Sequence, residues 1–391
     1  MKARRAPPMP GALAGFALCA QRWPCRRSVS KPFFPTLPEV NVNPIVNRYT
    51  ELVGIDHPIV QEGLGPFRTP KLAAAVSNAG GLGTVSMPGM PADLAEGARV
   101  FRDHIEECRS LTDRPFAVNI PVGVDGNGVV LPFTDVYIRM VLDARRADPD
   151  LARHLTVLTT SAGFPGEYIA MIKDAGMIHQ HKVGSTRQAV KAAEAGVDVI
   201  IAAGFEMGGH APSKAVHSYV LVPSVTEAVD VPVLLTGGAR DARGLAAALA
   251  MGAHGVAMGT RFITSTANTD WHPAYLQALI DAQEGDDVAF DGVYGPCRGL
   301  RNAASARLTE HIGHTSSDIV DAVELTRWKI ESMQRAQTAG DVRDGLVLAG
   351  QVASAIDDII EIAEFVPNTA AGAAQILRRL ASSLPIPTAS A

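Results

Sequence analysis

Three sequence segments carry most of the structural information: VDVIIAAGFEMGGH (197–210), VPVLLTGGA (231–239) and AHGVAMGTRF (253–262). Each is an apolar, strand-like run that ends in glycine, and the first delivers a histidine directly after its glycines. In barrel enzymes, glycine-rich loops at the ends of neighbouring strands form a phosphate site and place a proton-transfer group beside it. The three segments therefore predict an enzyme that binds a phosphate-bearing cofactor.

The same alternation extends over the preceding part of the chain. From Pro58 onward, eight short apolar runs alternate with amphipathic, helix-like runs, several of which stop at a glycine. Continuous apolar runs are typical of parallel strands that are buried on both faces. Eight such strands predict an α/β fold of the (β/α)8 TIM-barrel class. A doubly wound open sheet is the alternative, weakened because EGLGPF after the first strand lacks GxGxxG spacing.

The pattern changes before and after the predicted barrel. We predict a basic leader at 1–40, the barrel at 41–267, a small helical subdomain at 268–345 and C-terminal helices at 346–391 that pack on the barrel. The leader contains no acidic residue before Glu39 and includes an apolar decad. It is interpreted as a targeting peptide, a disordered extension or a wrongly chosen start.

Composition narrows the class of protein. Hydrophobic residues make up 47% of the chain and charged residues 19%, which is ordinary for a globular protein. The net charge of −5 and the lack of a basic stripe argue against a nucleic-acid partner. No apolar run approaches the roughly 20 residues of a membrane span. The four cysteines show no CxxC pair and no metal-ligand spacing, so the sequence predicts a reduced, cytoplasmic protein without a metal site.

Glycine-rich loops after the last two strands form the predicted phosphate site. The glycines in Thr236–Gly238 and Met258–Thr260 would let backbone N–H groups approach an anion, helped by the positive end of a helix that begins near Ala242. Either loop alone is better explained by a tight βα turn. Both loops on neighbouring strands, with a hydroxyl from Thr260, favour the phosphate.

Polar residues at other strand ends are candidates for the chemistry. His210 follows two glycines, and because histidine titrates near neutral pH it is the candidate proton-transfer residue. One interpretation of Lys182 is a donor to a flavin carbonyl or a phosphate, whose positive charge also stabilises a reduced flavin. The alternative is a strand-end lysine that reaches solvent. Asn119 either binds a ring edge or caps a loop. The remaining histidines nearby are interpreted as structural: His179, His181, His217 and His254.

Several motifs resemble one known family. GFEMGGH (204–210), HKVGST (181–186), LAAAVSNAGGLGT (72–84) and PFAVNIP (115–121), together with the run at 236–262, are similar to the nitronate monooxygenase family. That family also contains FMN-dependent NADH:quinone reductases and enoyl reductases. The resemblance covers residues 47–262 well and extends more weakly through HPAY, LRNAAS and the AGQ that ends at Gln351.

The resemblance implies an FMN-binding barrel and assigns roles to individual positions. The family's catalytic histidine falls on His210, its flavin-contacting lysine on Lys182 and its strand-three asparagine on Asn119. The cofactor-binding residues expected from the strand ends and the resemblance are Gly63, Asn119, Lys182, Gly208, Gly209, Thr236, Gly237, Gly238, Met258, Gly259 and Thr260.

Two segments depart from the family pattern. The first strand of the family usually ends in a Pro-Met or Gly-Met turn, whereas this chain has Glu62-Gly63-Leu64-Gly65. Family members often have a glycine soon after the histidine, whereas Ala211–Lys214 follows here. Both segments are expected on the substrate side of the site, so they bear on the substrate more than on the cofactor.

The resemblance implies an oxidoreductase that acts on a small molecule. The first hypothesis is an FMN-dependent nitronate monooxygenase that oxidises alkyl nitronates or nitroalkanes with O2 to carbonyl compounds and nitrite. The alternative is an FMN-dependent NAD(P)H:quinone or enoyl-thioester reductase on the same scaffold. A non-catalytic flavin- or phosphate-binding protein is a third hypothesis, against which His210 and its preceding glycines argue. A homodimer is left open.

Overall fold

The computed structural model describes residues 45–384 apart from 90, 92, 125–127, 293–294 and 311–318. The predicted leader at 1–40 lies outside the described residues. Within the described part of the chain, no helix is long and apolar enough to cross a membrane.

Strands in the described residues form two sheets. They are β1 (Ile59–Gln61), β2 (Gly83–Ser86), β3 (Phe116–Val122), β4 (Leu155–Ala162), β5 (Ile178–Val183), β6 (Val199–Ala203), β7 (Gly209–His210), β8 (Val233–Thr236), β9 (Gly255–Met258), β10 (Asp287–Asp291) and β11 (Pro296–Leu300). The large sheet is parallel and has the order β1-β9-β8-β6-β5-β4-β3-β2. A parallel bridge between Val60 and Leu82 brings its two edges together. The eight strands therefore form a nearly closed barrel, which confirms the (β/α)8 prediction, and the open doubly wound alternative is wrong.

The barrel strands are buried on both faces, as the continuous apolar runs predicted. Inward-facing residues form an apolar cluster with Tyr49 and Val53 of the first helix, which closes one end of the barrel. The hydroxyl of Tyr49 accepts a hydrogen bond of 3.2 Å from the side chain of Gln180. Since side chains alternate along a strand, Lys182 faces inward two positions further along β5. The barrel interior next to the polar residues of the other end is therefore filled with packed side chains.

Helices surround the barrel and follow most of its strands. They are α1 (Arg48–Val53), α2 (Pro70–Asn78), α3 (Leu94–Leu111), α4 (Pro132–Ala147), α5 (Pro149–His154), α6 (Tyr168–Asp174), α7 (Thr186–Glu194), α8 (Ser218–Ala228), α9 (Ala242–Ala250), α10 (Thr260–Ile263), α11 (Pro273–Asp281), α12 (Ala303–Thr309), α13 (Ile319–Ala339) and α14 (Ile362–Ser383), with a 3₁₀ turn at Gln351–Ala355. The C-terminal helix α14 packs on the barrel, because Ile362 and Val366 join the core cluster that contains Leu245 of α9.

The segment predicted as a helical subdomain also contains a β-hairpin. Strands β10 and β11 pair antiparallel, and β11 pairs in turn with the two-residue strand β7. In this small sheet Cys297 stands opposite His210. The sequence predicted α11 and α13 in this region, but neither α12 nor the hairpin. The hairpin matters for function because it fixes the position of the predicted catalytic histidine.

Candidate active site

A pocket opens at the carboxyl ends of the barrel strands, and we call it the barrel pocket. It contains about 700 Å³ of empty space, part of it open to solvent. Its polar wall is formed by loops that follow β1, β5, β6, β8 and β9. Its apolar lining includes Phe67, Met207, Ile263, Trp271, Tyr275 and Leu348. The ends of five barrel strands therefore converge on one partly apolar site.

Nearly all of the predicted cofactor-binding residues line this pocket. Those in the lining are Gly63, Lys182, Gly208, Gly209, Thr236, Gly237, Gly238, Met258, Gly259 and Thr260. The two predicted phosphate loops are thus brought to the same pocket.

Asn119 lies beneath the pocket wall instead of in its lining. Its side chain is buried and its Nδ2 donates a hydrogen bond of 3.3 Å to the backbone oxygen of Thr159. A Cβ atom added to Gly63 would lie 2.4 Å from Oδ1 of Asn119. Asn119 therefore packs directly under the Gly63 loop, which favours the loop-supporting role that the sequence left open.

The first of the two phosphate loops has the left-handed glycines expected of a close backbone approach, and the N-terminus of the following helix carries its own cap. Gly237 and Gly238 have φ values of +105° and +80°, a region that side chains strongly disfavour. The N-terminus of α9 is capped by its own Asp241, whose Oδ1 accepts from the amides of Arg243 and Gly244. Two amides at the N-terminus of α9 are thus already bonded to a carboxylate, which weakens the case that this helix end helps to bind a phosphate.

Lys182 reaches the barrel pocket as part of a buried ion pair. Its Nζ lies 2.7 Å from Oε2 of Glu62, and their side chains are 15% and 6% exposed. The other carboxylate oxygen of Glu62, Oε1, is buried and has no hydrogen-bond partner among the described residues. The sequence predicted Lys182 as a free positive charge for a reduced flavin, but in the structure Glu62 offsets much of that charge.

Glu206 is a second acidic residue of the pocket wall. Its Oε1 accepts a hydrogen bond of 3.0 Å from the amide of Ser218, the first residue of α8. Its Oε2 lies 3.2 Å from Nδ1 of His217. The carboxylate thus stabilises the start of α8, where negative charge is favoured. Glu206 lies within the GFEMGGH motif, although the sequence did not identify it as a site residue.

His210 directly follows the lining residues Gly208 and Gly209 but is not itself part of the pocket lining, and it contacts a lysine of α13. Its Nε2 lies 3.1 Å from Nζ of Lys329 on α13, and that Nζ also donates a 2.5 Å hydrogen bond to the backbone oxygen of Gly292. Lys329 is 4% exposed. Burial lowers the pKa of Lys329, while Cys297 and Asp291 act in the opposite direction. When the amine of Lys329 is charged it can only donate, so Nε2 accepts and the neutral ring carries its proton on Nδ1.

The charge of Lys329 changes the chemistry expected of His210. The positive charge of Lys329 is the main cause that lowers the pKa of His210 from 6.5 to about 3; burial and Lys182 lower it further, and a hydrogen bond to the backbone of Gly292 acts in the opposite direction. This shift argues against the prediction that His210 titrates near neutral pH, since the amine of Lys329 lies next to its ring nitrogen. With its pKa at this value the ring is neutral at neutral pH.

The buried histidines of β5 belong to the scaffold, as the sequence indicated. Oγ1 of Thr160 lies 2.8 Å from both Nε2 of His179 and Nδ1 of His181. Burial is the main cause that lowers the pKa of His179 to about 3 and that of His181 to about 4. These rings therefore stay neutral and link β4 to β5.

Comparison with known proteins gives a consistent family relationship. A family model described as nitronate monooxygenase matches residues 47–371. A (3aS,4S,5R,7aS)-5-hydroxy-7a-methyl-1-oxo-octahydro-1H-indene-4-carboxyl-CoA dehydrogenase from Rhodococcus jostii (strain RHA1) is 35% identical over 304 residues, with 76% of this chain and 77% of the relative covered. A probable nitronate monooxygenase from Staphylococcus aureus (strain JH9) is 30% identical over 304 residues, with 70% and 82% covered.

A solved structure supports the same relationship. The structure of FabK from Thermotoga maritima superposes with a TM-score of 0.74 and 33% sequence identity, and covers 86% of this chain and 99% of that one. The match extends well beyond the barrel strands, because so much of each chain is covered.

Proposed function

The chain belongs to the nitronate monooxygenase family of oxidoreductases, and from this premise we propose that it is an FMN-dependent enzyme that oxidises alkyl nitronates with O2 to carbonyl compounds and nitrite. The observation that carries the proposal is the contact between the buried amine of Lys329 and His210. With Lys329 charged, it combines a neutral hydrogen-bond donor with a positive charge, an arrangement suited to a substrate that is already an anion.

The barrel pocket is suited to FMN in shape and in chemistry. Loops with left-handed glycines at 237 and 238, together with Gly259 and Thr260, would hold the phosphate through close backbone approach. The apolar side chains of the lining would pack against the isoalloxazine ring. Oε1 of Glu62 is a buried oxygen without a partner among the described residues, and a ligand N–H would satisfy it. When bound, FMN would supply the redox chemistry between the nitronate and O2.

The protein's own residues would bind and orient the anionic substrate. Nδ1–H of His210 would donate to a nitronate oxygen, and the positive charge of Lys329 would stabilise the anion through the ring. A neutral nitroalkane would need a base, and a histidine whose pKa is lowered to about 3 is a weak one. The site therefore favours the nitronate over the neutral nitroalkane.

A second candidate is a flavin-dependent oxidoreductase that acts on a coenzyme A thioester, with NAD(P)H as the electron donor where the reaction is a reduction. The observation that favours it is the 35% identity to the R. jostii dehydrogenase, whose name specifies a carboxyl-CoA substrate. The positive charge of Lys329 would equally stabilise an enolate, which, like a nitronate, is the anion formed when a carbon acid loses a proton.

Anaerobic spectroscopy of the FMN-loaded protein separates the two candidates. We expect propyl nitronate to bleach the flavin absorbance and, once O2 is admitted, to release nitrite, whereas NADH and NADPH leave the absorbance unchanged. Neutral 1-nitropropane at the same pH should turn over at least about tenfold more slowly. Rapid bleaching by NADH or NADPH, without response to the nitronate, would refute the nitronate assignment and favour a reductase.

Lys329 provides a test of the charge itself. Replacing Lys329 with methionine, which keeps the length of the side chain, should raise the pKa of His210 by at least about one unit, because the neighbouring cation is removed. Nuclear magnetic resonance titration of histidine ring carbons would measure this change, with His210→Gln identifying the resonance. Lys329→Arg keeps the charge and is the matched control, for which the pKa should stay low. An unaltered pKa in Lys329→Met would contradict the assigned role of the lysine.

A further inference from the structure

The most unusual feature of the barrel pocket is the pair of Glu62 and Lys182. Both side chains are largely buried and both residues line the pocket. Glu62 replaces the apolar turn that the family usually has at the end of the first strand. Because a buried carboxylate oxygen without a hydrogen bond is destabilising, Oε1 of Glu62 requires a donor that the described residues do not supply.

The position of Glu62 is fixed from three sides. Its amide donates a hydrogen bond of 3.0 Å to the backbone oxygen of Met258 on the neighbouring barrel strand. Its backbone oxygen accepts a hydrogen bond from the side chain of Gln61, and Lys182 holds Oε2. The following residue, Gly63, packs against Asn119. The carboxylate is therefore preorganised, and Oε1 is the atom left for a ligand.

We propose that the Glu62–Lys182 pair recognises the imide edge of the flavin ring and at the same time cancels the positive charge that Lys182 would otherwise place there. This inference rests on the proposed FMN dependence. An imide presents an N–H next to C=O groups. A carboxylate only accepts and an ammonium only donates, so the two side chains match neighbouring groups of that edge. The nearby carboxylate disfavours negative charge on the ring, which a free Lys182 would favour.

Sulfite binding to the FMN-loaded enzyme measures the charge effect without any substrate turnover. Sulfite adds covalently to the flavin ring and leaves negative charge on it, so its affinity rises with positive charge nearby. We expect Glu62→Gln to lower the dissociation constant of sulfite at least about tenfold, because Lys182 then acts as an unpaired cation. Visible absorbance records the titration.

Glu206→Gln is the matched control for this measurement. It removes a carboxylate from the same pocket wall, but Glu206 contacts Ser218 and His217 and not Lys182. Its effect on sulfite affinity should be clearly smaller than that of Glu62→Gln. Equal effects of the two substitutions, or no effect of Glu62→Gln, would overturn the charge-cancelling role.

Hydrogen exchange at the ring imide tests the recognition role. In the enzyme loaded with FMN labelled with ¹⁵N at the imide, the imide N–H should exchange slowly with water. Glu62→Leu should lose that protection even when the flavin remains bound. Protection that persists in Glu62→Leu would assign Oε1 to another donor, such as a ribityl hydroxyl, and overturn the proposal. If the Glu62 variants show the expected sulfite and exchange effects but the enzyme does not oxidise nitronates, the proposed function is refuted and the role of the Glu62–Lys182 pair is retained. If the purified chain binds no FMN, both are refuted.

Discussion

Replacing His210 with alanine is expected to lower kcat/KM for propyl nitronate by about 10²–10³-fold while FMN stays bound, a loss typical of removing one preorganised donor to developing or bound negative charge. The donor is Nδ1–H, because Lys329 fixes the proton on that nitrogen by occupying Nε2. Steady-state nitrite release measures the effect, and the visible spectrum verifies that the flavin remains in place.

His210→Asn distinguishes a donor from a base. Asparagine carries an N–H donor at a similar distance from the backbone but cannot accept a proton, so it should recover part of the activity that alanine loses. The pH profile adds an independent readout. Because the pKa of His210 is lowered to about 3, the ring stays neutral as the pH falls through 6.5, and no loss of turnover should arise from it between about pH 5 and 8. An asparagine variant as inactive as alanine, with a titration near 6.5 in the native enzyme, would identify His210 as a base.

The barrel could be predicted because each of its strands is recognisable from a short stretch of sequence. Each strand is a continuous apolar run with its own glycine or helix boundary, so β6, β8 and β9 were found at nearly their observed positions. The strand β7 has only two residues, and it exists because β11, much later in the chain, pairs with it. A pairing of this kind leaves no periodic signal near His210, which is why the small sheet was missed.

The candidate site was predictable where backbone geometry defines it and not where charges from distant elements act. Glycines at strand ends located the pocket wall correctly. The capping of α9 by Asp241 had a sequence signal, since an aspartate directly precedes the helix. Glu62 was visible only as a departure from the family pattern. Lys329 lies 119 positions from His210, and no feature of the sequence of α13 indicates that the two residues are in contact. The contact that sets the histidine's chemistry therefore required the folded structure.

Replacing Gly259 with aspartate is expected to raise the dissociation constant of FMN by about 10²-fold or more. A carboxylate would then lie beside the phosphate in a partly buried site, where two like charges a few ångströms apart repel by about 2–4 kcal/mol. Equilibrium titration of the apoprotein with FMN, followed by flavin fluorescence, measures the change. An affinity that stays intact would show that the phosphate lies elsewhere.

Gly259→Asp is suited to this test because the backbone conformation at Gly259 is compatible with a side chain. Gly259 has φ −103° and ψ −72°, and an added Cβ would meet only side-chain atoms, with Cδ2 of Leu64 at 3.3 Å. Gly259 is also the residue that precedes α10, a position that aspartate and asparagine both favour. Gly259→Asn has nearly the same shape without the charge and is the matched control, so it should retain most of the affinity. Since the two variants differ by one unit of charge, the ratio of their FMN dissociation constants separates the electrostatic effect from any steric cost.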